Sequence, residues 1–317
     1  MRRAFNFFGK PWWLASAAGT ALALAPVTAS AQPASLVTEH VRAELLAHAP
    51  RGVVPGQPVW VGLSLQHQPQ WHTYWKNPGD SGLPIQLSWQ LSAGAAAGQI
   101  AWPSPHALRV GPLINYGYEG AVLLPVPVAI PAGFAGDELR VTLQADWLAC
   151  KDICVPESGE FTLHIPARSA TTAHGRAFDD ALARVPRELP SVAARATIER
   201  RALRIEVDGL PAPWQGRALA FFPEIGGVFE PAAPIEQRWD AARWVARMPL
   251  SAQRSESPTT LHAVLRPPGD AAGARVTIAI SGSWSTASVA GERAAAARRL
   301  ADNARRVAGS TSIRSEP

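Results

Sequence analysis

Short runs in which every second residue is apolar, cut apart by Pro and Gly, constrain this chain more than any other feature. Val59, Val61, Leu63 and Leu65 alternate with polar or small residues, as do Ile85, Leu87, Trp89 and Leu91. Leu139, Val141, Leu143, Ala145 and Trp147 form a third set, and Phe161, Leu163 and Ile165 a fourth. Successive side chains of a strand leave opposite faces, so each run reads as a strand with one face buried. Asn77-Pro78-Gly79-Asp80, Ala132-Gly133 and Pro156-Glu157 supply turns between them. Many short strands with such punctuation predict an all-β sandwich.

Between residues 169 and 190 the period changes. Phe178, Leu182 and Val185 recur at helical spacing, and Pro186 and Pro190 follow. This predicts a short linker helix. Alternating runs resume over residues 197–207, 217–222, 244–248, 260–265 and 275–280 and predict a second sandwich. The expected organisation is a first β domain over 36–168, the linker over 169–190 and a second β domain over 191–285. An Ala- and Arg-rich helical or disordered tail is expected over 286–317.

The first 31 residues read as an export signal. Arg2, Arg3 and Lys10 form a positive start, residues 12–27 are apolar, and Ala29-Ser30-Ala31 is a small-residue cleavage site. Export and cleavage after Ala31 are expected. Export also corrects the impression left by a net charge of +5. Without the leader the chain holds 27 Lys and Arg against 25 Asp and Glu. Six arginines of the remainder lie in the tail, so the folded body is near neutral. That argues against a nucleic-acid partner, which needs a basic stripe on the body. No run of 18 apolar residues follows the leader, so no spanning helix is expected.

Cys150 and Cys154 are the only cysteines. An exported protein uses cysteine mainly in disulfides. A bridge closing a loop this short removes little chain entropy, about 2 kcal/mol in the loop-closure model. A disulfide that opens and closes fits better than a staple, although a fixed bridge and a metal pair are alternatives. Copper(I) calls for further soft ligands, and Met248 is the one methionine after the leader. The eight histidines show no ligand spacing, so neither a metal nor a cofactor is expected. Cys150 has the parity of Arg140, Thr142, Gln144 and Asp146, which places it on the polar side of its strand. Both sulfurs are expected near an exposed strand end. Lys151 favours a thiolate there, and Asp146, Asp152 and Glu157 oppose it.

Two other segments stand out. Residues 70–82 read QWHTYWKNPGDSG, either a core strand with Trp71 and Trp75 inside or a wall around the cysteines. His72 within it is a hydrogen-bonded residue or a participant in the chemistry. Residues 111–120 read GPLINYGYEG. They form a hairpin loop with packed aromatics, or a lid built from Asn115, Tyr116, Gly117 and Tyr118 that shields the sulfurs and lifts for a partner. Tyr116 and Tyr118 suit a cover with one wet edge.

Together, residues 71–82, 111–120 and 147–157 resemble the periplasmic N-terminal domain of the DsbD/ScsB thiol:disulfide interchange proteins. The likeness is closer to ScsB, the copper-tolerance branch, whose members carry a comparable Trp-Leu-x-Cys-x-x-x-Cys-x-Pro-Glu run. It extends over about residues 38–166, and more loosely to about 285. The resemblance implies immunoglobulin-like β-sandwiches and a redox disulfide with no bound cofactor. It implies that Cys154 takes part in mixed disulfides and that Cys150 resolves them. It further implies thioredoxin-like or disulfide-isomerase partners, and electrons from a membrane electron-transfer protein. A Tyr-Gly pair in the family's cap loop matches Tyr116-Gly117. In DsbD an aromatic precedes that pair, where this chain has Asn115, and DsbD spaces its cysteines further apart. The chain stops after the basic tail, so the membrane donor is expected in trans, whether the protein is free-standing or truncated. The rival readings are an adaptor with a permanent bridge and a copper-binding protein.

Overall fold

The computed structural model describes residues 34–269 and 272–284. The expected leader and tail lie outside them. The first block contains β1 (Ser35–Val37), β2 (Val41–His48), β3 (Val59–His67), β4 (His72–Gly79), β5 (Gln86–Leu91), β6 (Ala96–Ala97), β7 (His106–Val110), β8 (Leu113–Glu119), β9 (Ala121–Ala129), β10 (Glu138–Cys150) and β11 (Cys154–Pro166). Helix α1 (Gly175–Leu182) follows. The second block contains β12 (Arg187–Glu188), β13 (Ala193–Glu199), β14 (Ala202–Asp208), β15 (Ala220–Pro223), β16 (Glu236–Asp240), β17 (Arg243–Pro249), β18 (Thr260–Arg266) and β19 (Ala274–Ser281). The fold is all-β, with one α-helix among the described residues.

Two antiparallel sheets make the first block. One runs β1-β2-β3-β9-β6 and the other β11-β10-β4-β8-β7. Alternation explains how they stack. Val61, Leu63 and Leu65 of β3 and Leu139, Val141, Leu143 and Ala145 of β10 are fully buried in one core. Each large apolar side chain so buried contributes about 1.5–3 kcal/mol. Strand β10 has β11 on one edge. Its other edge pairs with β5 over Val141–Asp146, and then with β4 at Cys150 alone. That change of neighbour brings β4 beside the cysteines.

Helix α1 lies inside the stretch expected to be a linker. Phe178 on it is buried against Leu46 and Leu123 of the first block. The second block is a sheet in the order β15-β18-β19-β13-β14-β17-β16, with β12 beside β19. The ends of this path approach each other. Gln237 on β16 accepts from the Leu219 amide at 2.8 Å and donates to its carbonyl at 3.1 Å, just before β15. The sheet thereby wraps Trp214, Trp244, Met248 and Phe221 into a second core.

The two blocks meet at β4. Its register with β8 breaks between Tyr74 and Gly79, so four residues, 75–78, bulge opposite Tyr116. The bulge carries Lys76 and Asn77 toward the second block. Asn77 Nδ2 donates to the carbonyls of Pro223 at 2.7 Å and Ile225 at 3.2 Å. Lys76 Nζ lies 3.2 Å from Glu224, which Arg275 also grips with two hydrogen bonds. Burial alone would raise the Glu224 carboxyl, but Arg275 and Lys76 hold it below the usual carboxylate range. Phe222 packs edge-on against both Trp75 and Tyr116 and joins the first core. No helix among the described residues is long and apolar enough to cross a membrane.

Candidate functional site

The β10–β11 hairpin ends in the pair Cys150 and Cys154, which are Cα partners 4.1 Å apart and joined by a disulfide. The Lys151 amide donates to the Ile153 carbonyl and closes the turn. The two sulfurs differ in access. Cys150 is 2% exposed, whereas Cys154 is exposed beside Ile153, itself 67% exposed. The sequence places both sulfurs near an exposed strand end; the hairpin end exposes Cys154 and buries Cys150. Parity does place Cys150 on the face opposite Trp147, but β4 arrives alongside and covers it.

Opposite Cys150 on β4 stands His72, which is buried. His72 and Tyr74 leave the same face and meet edge to face, with ring centroids 5.2 Å apart. The Tyr74 hydroxyl lies 3.5 Å from Cys154 Sγ and the same distance from Asn115 Nδ2. An amide N–H can only donate and a bridged sulfur has no proton, so the phenol accepts from Asn115 and directs its own proton at the sulfur. Burial pushes the Tyr74 phenol above its ordinary value, with Ser81 partly opposing, so it keeps that proton at neutral pH.

The cover over Tyr74 is the segment 80–82. Asp80 and Ile114 exchange two hydrogen bonds, and Ser81 donates to Asn115 Oδ1 from both its amide and its hydroxyl. Gly82 lies flat on the Tyr74 ring, at φ +97°.

The expected lid takes another form. Residues 113–118 belong to strand β8, held by β4 on one edge and β7 on the other. Gly117 serves close packing there: a Cβ would collide with the Thr73 carbonyl oxygen. Tyr116 packs on Phe222, and Tyr118 donates to the Pro103 carbonyl at 2.6 Å. Of that group, Asn115 alone reaches the sulfurs' surroundings, through Tyr74. Trp71 is engaged elsewhere, against the His40 ring at 3.6 Å.

Behind the hairpin sits Glu157, the register partner of Trp147. Its side chain is 5% exposed. Thr38 Oγ1 donates to it at 2.6 Å, the His40 amide at 3.0 Å and Trp147 Nε1 at 3.1 Å, and His40 Nδ1 lies 2.8 Å away. Burial would raise this carboxyl, but these hydrogen bonds hold it below its usual range. The cluster ties the β1–β2 turn to the root of the β10–β11 hairpin.

Sequence reasoning passed over Tyr74, Ser81, Gly82 and the partners of Glu157. The alternation in 71–75 contains the signal for Tyr74, since it assigns Tyr74 and His72 to one face and Trp75 to the other. No three or more His, Cys, Asp or Glu among the described residues are grouped to hold a metal ion.

No curated protein matches this chain. Residues 42–166 match the family model described as thiol:disulfide interchange protein DsbD, N-terminal. The crystal structure of the N-terminal periplasmic domain of ScsB from Proteus mirabilis has a similar fold, with a TM-score of 0.60 at 18% identity. That likeness covers 80% of this chain and 99% of the other, more than the first block alone. Residues 42–166 therefore form a DsbD/ScsB-like N-terminal domain, similar to a domain of thiol:disulfide interchange proteins, with its own disulfide at Cys150 and Cys154.

Proposed function

We propose that this protein exchanges electrons with protein partners in the periplasm through the Cys150–Cys154 pair, by way of mixed disulfides at Cys154. A partner thiolate attacks Cys154 Sγ, the Cys150–Cys154 bond breaks, and its electron pair leaves on Cys150 Sγ. A second partner thiolate then attacks the mixed disulfide and releases the reduced pair. In the outward direction the Cys154 thiolate attacks a substrate disulfide, and Cys150 resolves the product. Thioredoxin-like or disulfide-isomerase proteins are the partners this reading calls for. A membrane electron-transfer protein supplied in trans is the donor.

The observation that carries the reading is the unequal access of the two sulfurs. Cys154 is open to an incoming sulfur, and Cys150 is buried behind it. An attacking sulfur needs an accessible target, while a resolving sulfur needs only its neighbour.

Two measurements test it. The folded protein is titrated with dithiothreitol and its thiols are trapped by alkylation; the bridge is expected to open reversibly. Cys150→Ser is then mixed with an oxidised thioredoxin-like protein and is expected to accumulate a mixed disulfide, which Cys154→Ser does not form. A bridge that stays closed in strongly reducing native conditions, as structural disulfides below about −300 mV do, makes it a staple. Equal trapping by both variants removes the assignment of Cys154.

A further inference from the structure

Four side chains lie in one row across the outer sheet of the first block. Cys154 on β11 is the register partner of Cys150 on β10, Cys150 of His72 on β4, and His72 of Glu119 on β8. Directly opposed residues share a face, with Cβ atoms about 5 Å apart. The row begins at an exposed sulfur, passes through a buried sulfur and a buried imidazole, and ends at an exposed carboxylate.

The imidazole is the unexplained member. His72 Nε2 is buried and has no hydrogen-bond partner. The other histidine close by, His67, has both ring nitrogens engaged, one by the Gly120 carbonyl at 2.7 Å and one by Thr73 Oγ1 at 3.0 Å. A bridged sulfur accepts hydrogen bonds only weakly. The other titratable groups facing His72 are Tyr74 on its own strand, Glu119 on β8 and Cys150 on β10, with His67 at the end of β3.

Exchange creates the missing partner. When a thiolate attacks Cys154, the electron pair leaves on Cys150 Sγ, inside the protein, where an unpaired charge is costly. Building on the function proposed above, we propose that His72 is the proton carrier of Cys150. As charge gathers on Cys150 Sγ, the neutral ring takes a proton from solvent on the Glu119 side and hands it to the expelled thiolate, which returns the ring to its neutral form. In the reverse direction the Cys150 thiol gives its proton to His72, attacks Cys154 Sγ of the mixed disulfide, and the partner's sulfur leaves with the electron pair. Burial, then the charge of His67, lowers His72 to about 4 in the oxidised protein, so the ring is neutral at rest and ready to take that proton. A thiolate beside it raises its proton affinity.

The test is nuclear magnetic resonance titration of His72 in the wild-type protein, oxidised and then reduced with dithiothreitol, together with reduction rates across about pH 5–9, the range in which histidine chemistry shows. The imidazole is expected to titrate at least about one unit higher in the reduced protein. His72→Phe is expected to slow reduction by dithiothreitol about tenfold or more, the low end for lost acid–base assistance, and to flatten its pH profile. A His72 that titrates alike in both states overturns the proposal, and so does a folded His72→Phe with the wild-type profile. Glu119→Gln with an unchanged profile removes Glu119 from the route. A wild-type bridge that never opens defeats the exchange reading itself, a result separate from an opening bridge that ignores His72. Should His72→Phe fail to fold, the wild-type titration still decides.

Discussion

The Tyr74 hydroxyl lies 3.5 Å from Cys154 Sγ and reaches it from the strand beyond Cys150. The contact joins β4 to the far cysteine of the hairpin, past Cys150, the register partner of His72. A phenol that is buried, proton-bearing and held by Asn115 offers its hydrogen to whatever charge the sulfur acquires.

Tyr74→Phe should therefore raise the thiol pKa of Cys154 in the reduced protein. Hydrogen bonds to a charged form favour that form. The ring and its packing under Gly82 remain, so the fold should be kept. The alkylation rate of Cys154, followed against pH in a Cys150→Ser background, reads the shift. An unchanged or lowered value would show that the hydroxyl does not serve the thiolate.

Gly82→Ala should uncover Tyr74 and loosen its hold beside the bridge. Its φ of +97° is one that L side chains avoid, and an added Cβ would strike the Tyr74 ring. Segment 80–82 must shift, and with it the cover over Tyr74. The variant should lose about 1–3 kcal/mol, the usual cost of overpacking, and its disulfide should react faster with small thiols. A variant as stable as wild type and equally slow to react would show that 80–82 is not the cover.

Much of this fold was legible in the alternation. The buried set Leu139, Val141, Leu143, Ala145 and Trp147 is the face that period two assigns. What failed was whatever a distant strand decides. Cys150 sits on the face its parity assigns, yet it is buried because β4, some 80 residues earlier in the chain, closes over it. Gly117 read as part of a hairpin loop or lid in which glycine permits close approach; the approach is real, but it is between the paired strands β4 and β8. Glu157 counted as a charge opposing Lys151, but its oxygens are occupied by Thr38 and His40, more than 100 residues away. Local pattern reports which face a side chain leaves, and pairing across the chain decides what that face meets.

Asn77→Ala should loosen the second block from the first. Asn77 Nδ2 is shared by two carbonyls of the second block, and its Oδ1 accepts from the Gly79 amide at 3.1 Å, which shapes the bulge. Removing it takes a donor from the buried Pro223 carbonyl and the partly buried Ile225 carbonyl, at a cost of about 1–3 kcal/mol. Thermal unfolding should shift down and split into two transitions, as the blocks cease to melt together. A single transition at the wild-type temperature would mean that Phe222 and the Lys76–Glu224 pair suffice alone.

The acid limb of stability should show two separate windows. His72 is held below its unfolded value of about 6.5, at about 4. Its neutral form is therefore favoured by the fold, and the benefit present above about pH 6.5 is lost as pH falls toward 4. The difference amounts to at most about 3 kcal/mol. Glu157 is also lowered, but from an unfolded value near 4.3, so its charged form is favoured. That benefit is complete at neutral pH and disappears only as pH falls below about 4 through its folded value. Urea unfolding followed from about pH 7 to 2 should resolve the two in variants, each of which flattens its own stretch of the curve. His72→Phe should act on the upper stretch. Glu157→Gln should act on the lower one and cost about 1–3 kcal/mol at neutral pH, because an amide cannot accept from all of Thr38, His40 and Trp147. A Glu157→Gln curve parallel to wild type at every pH would show that the carboxylate's charge contributes nothing to holding the hairpin root.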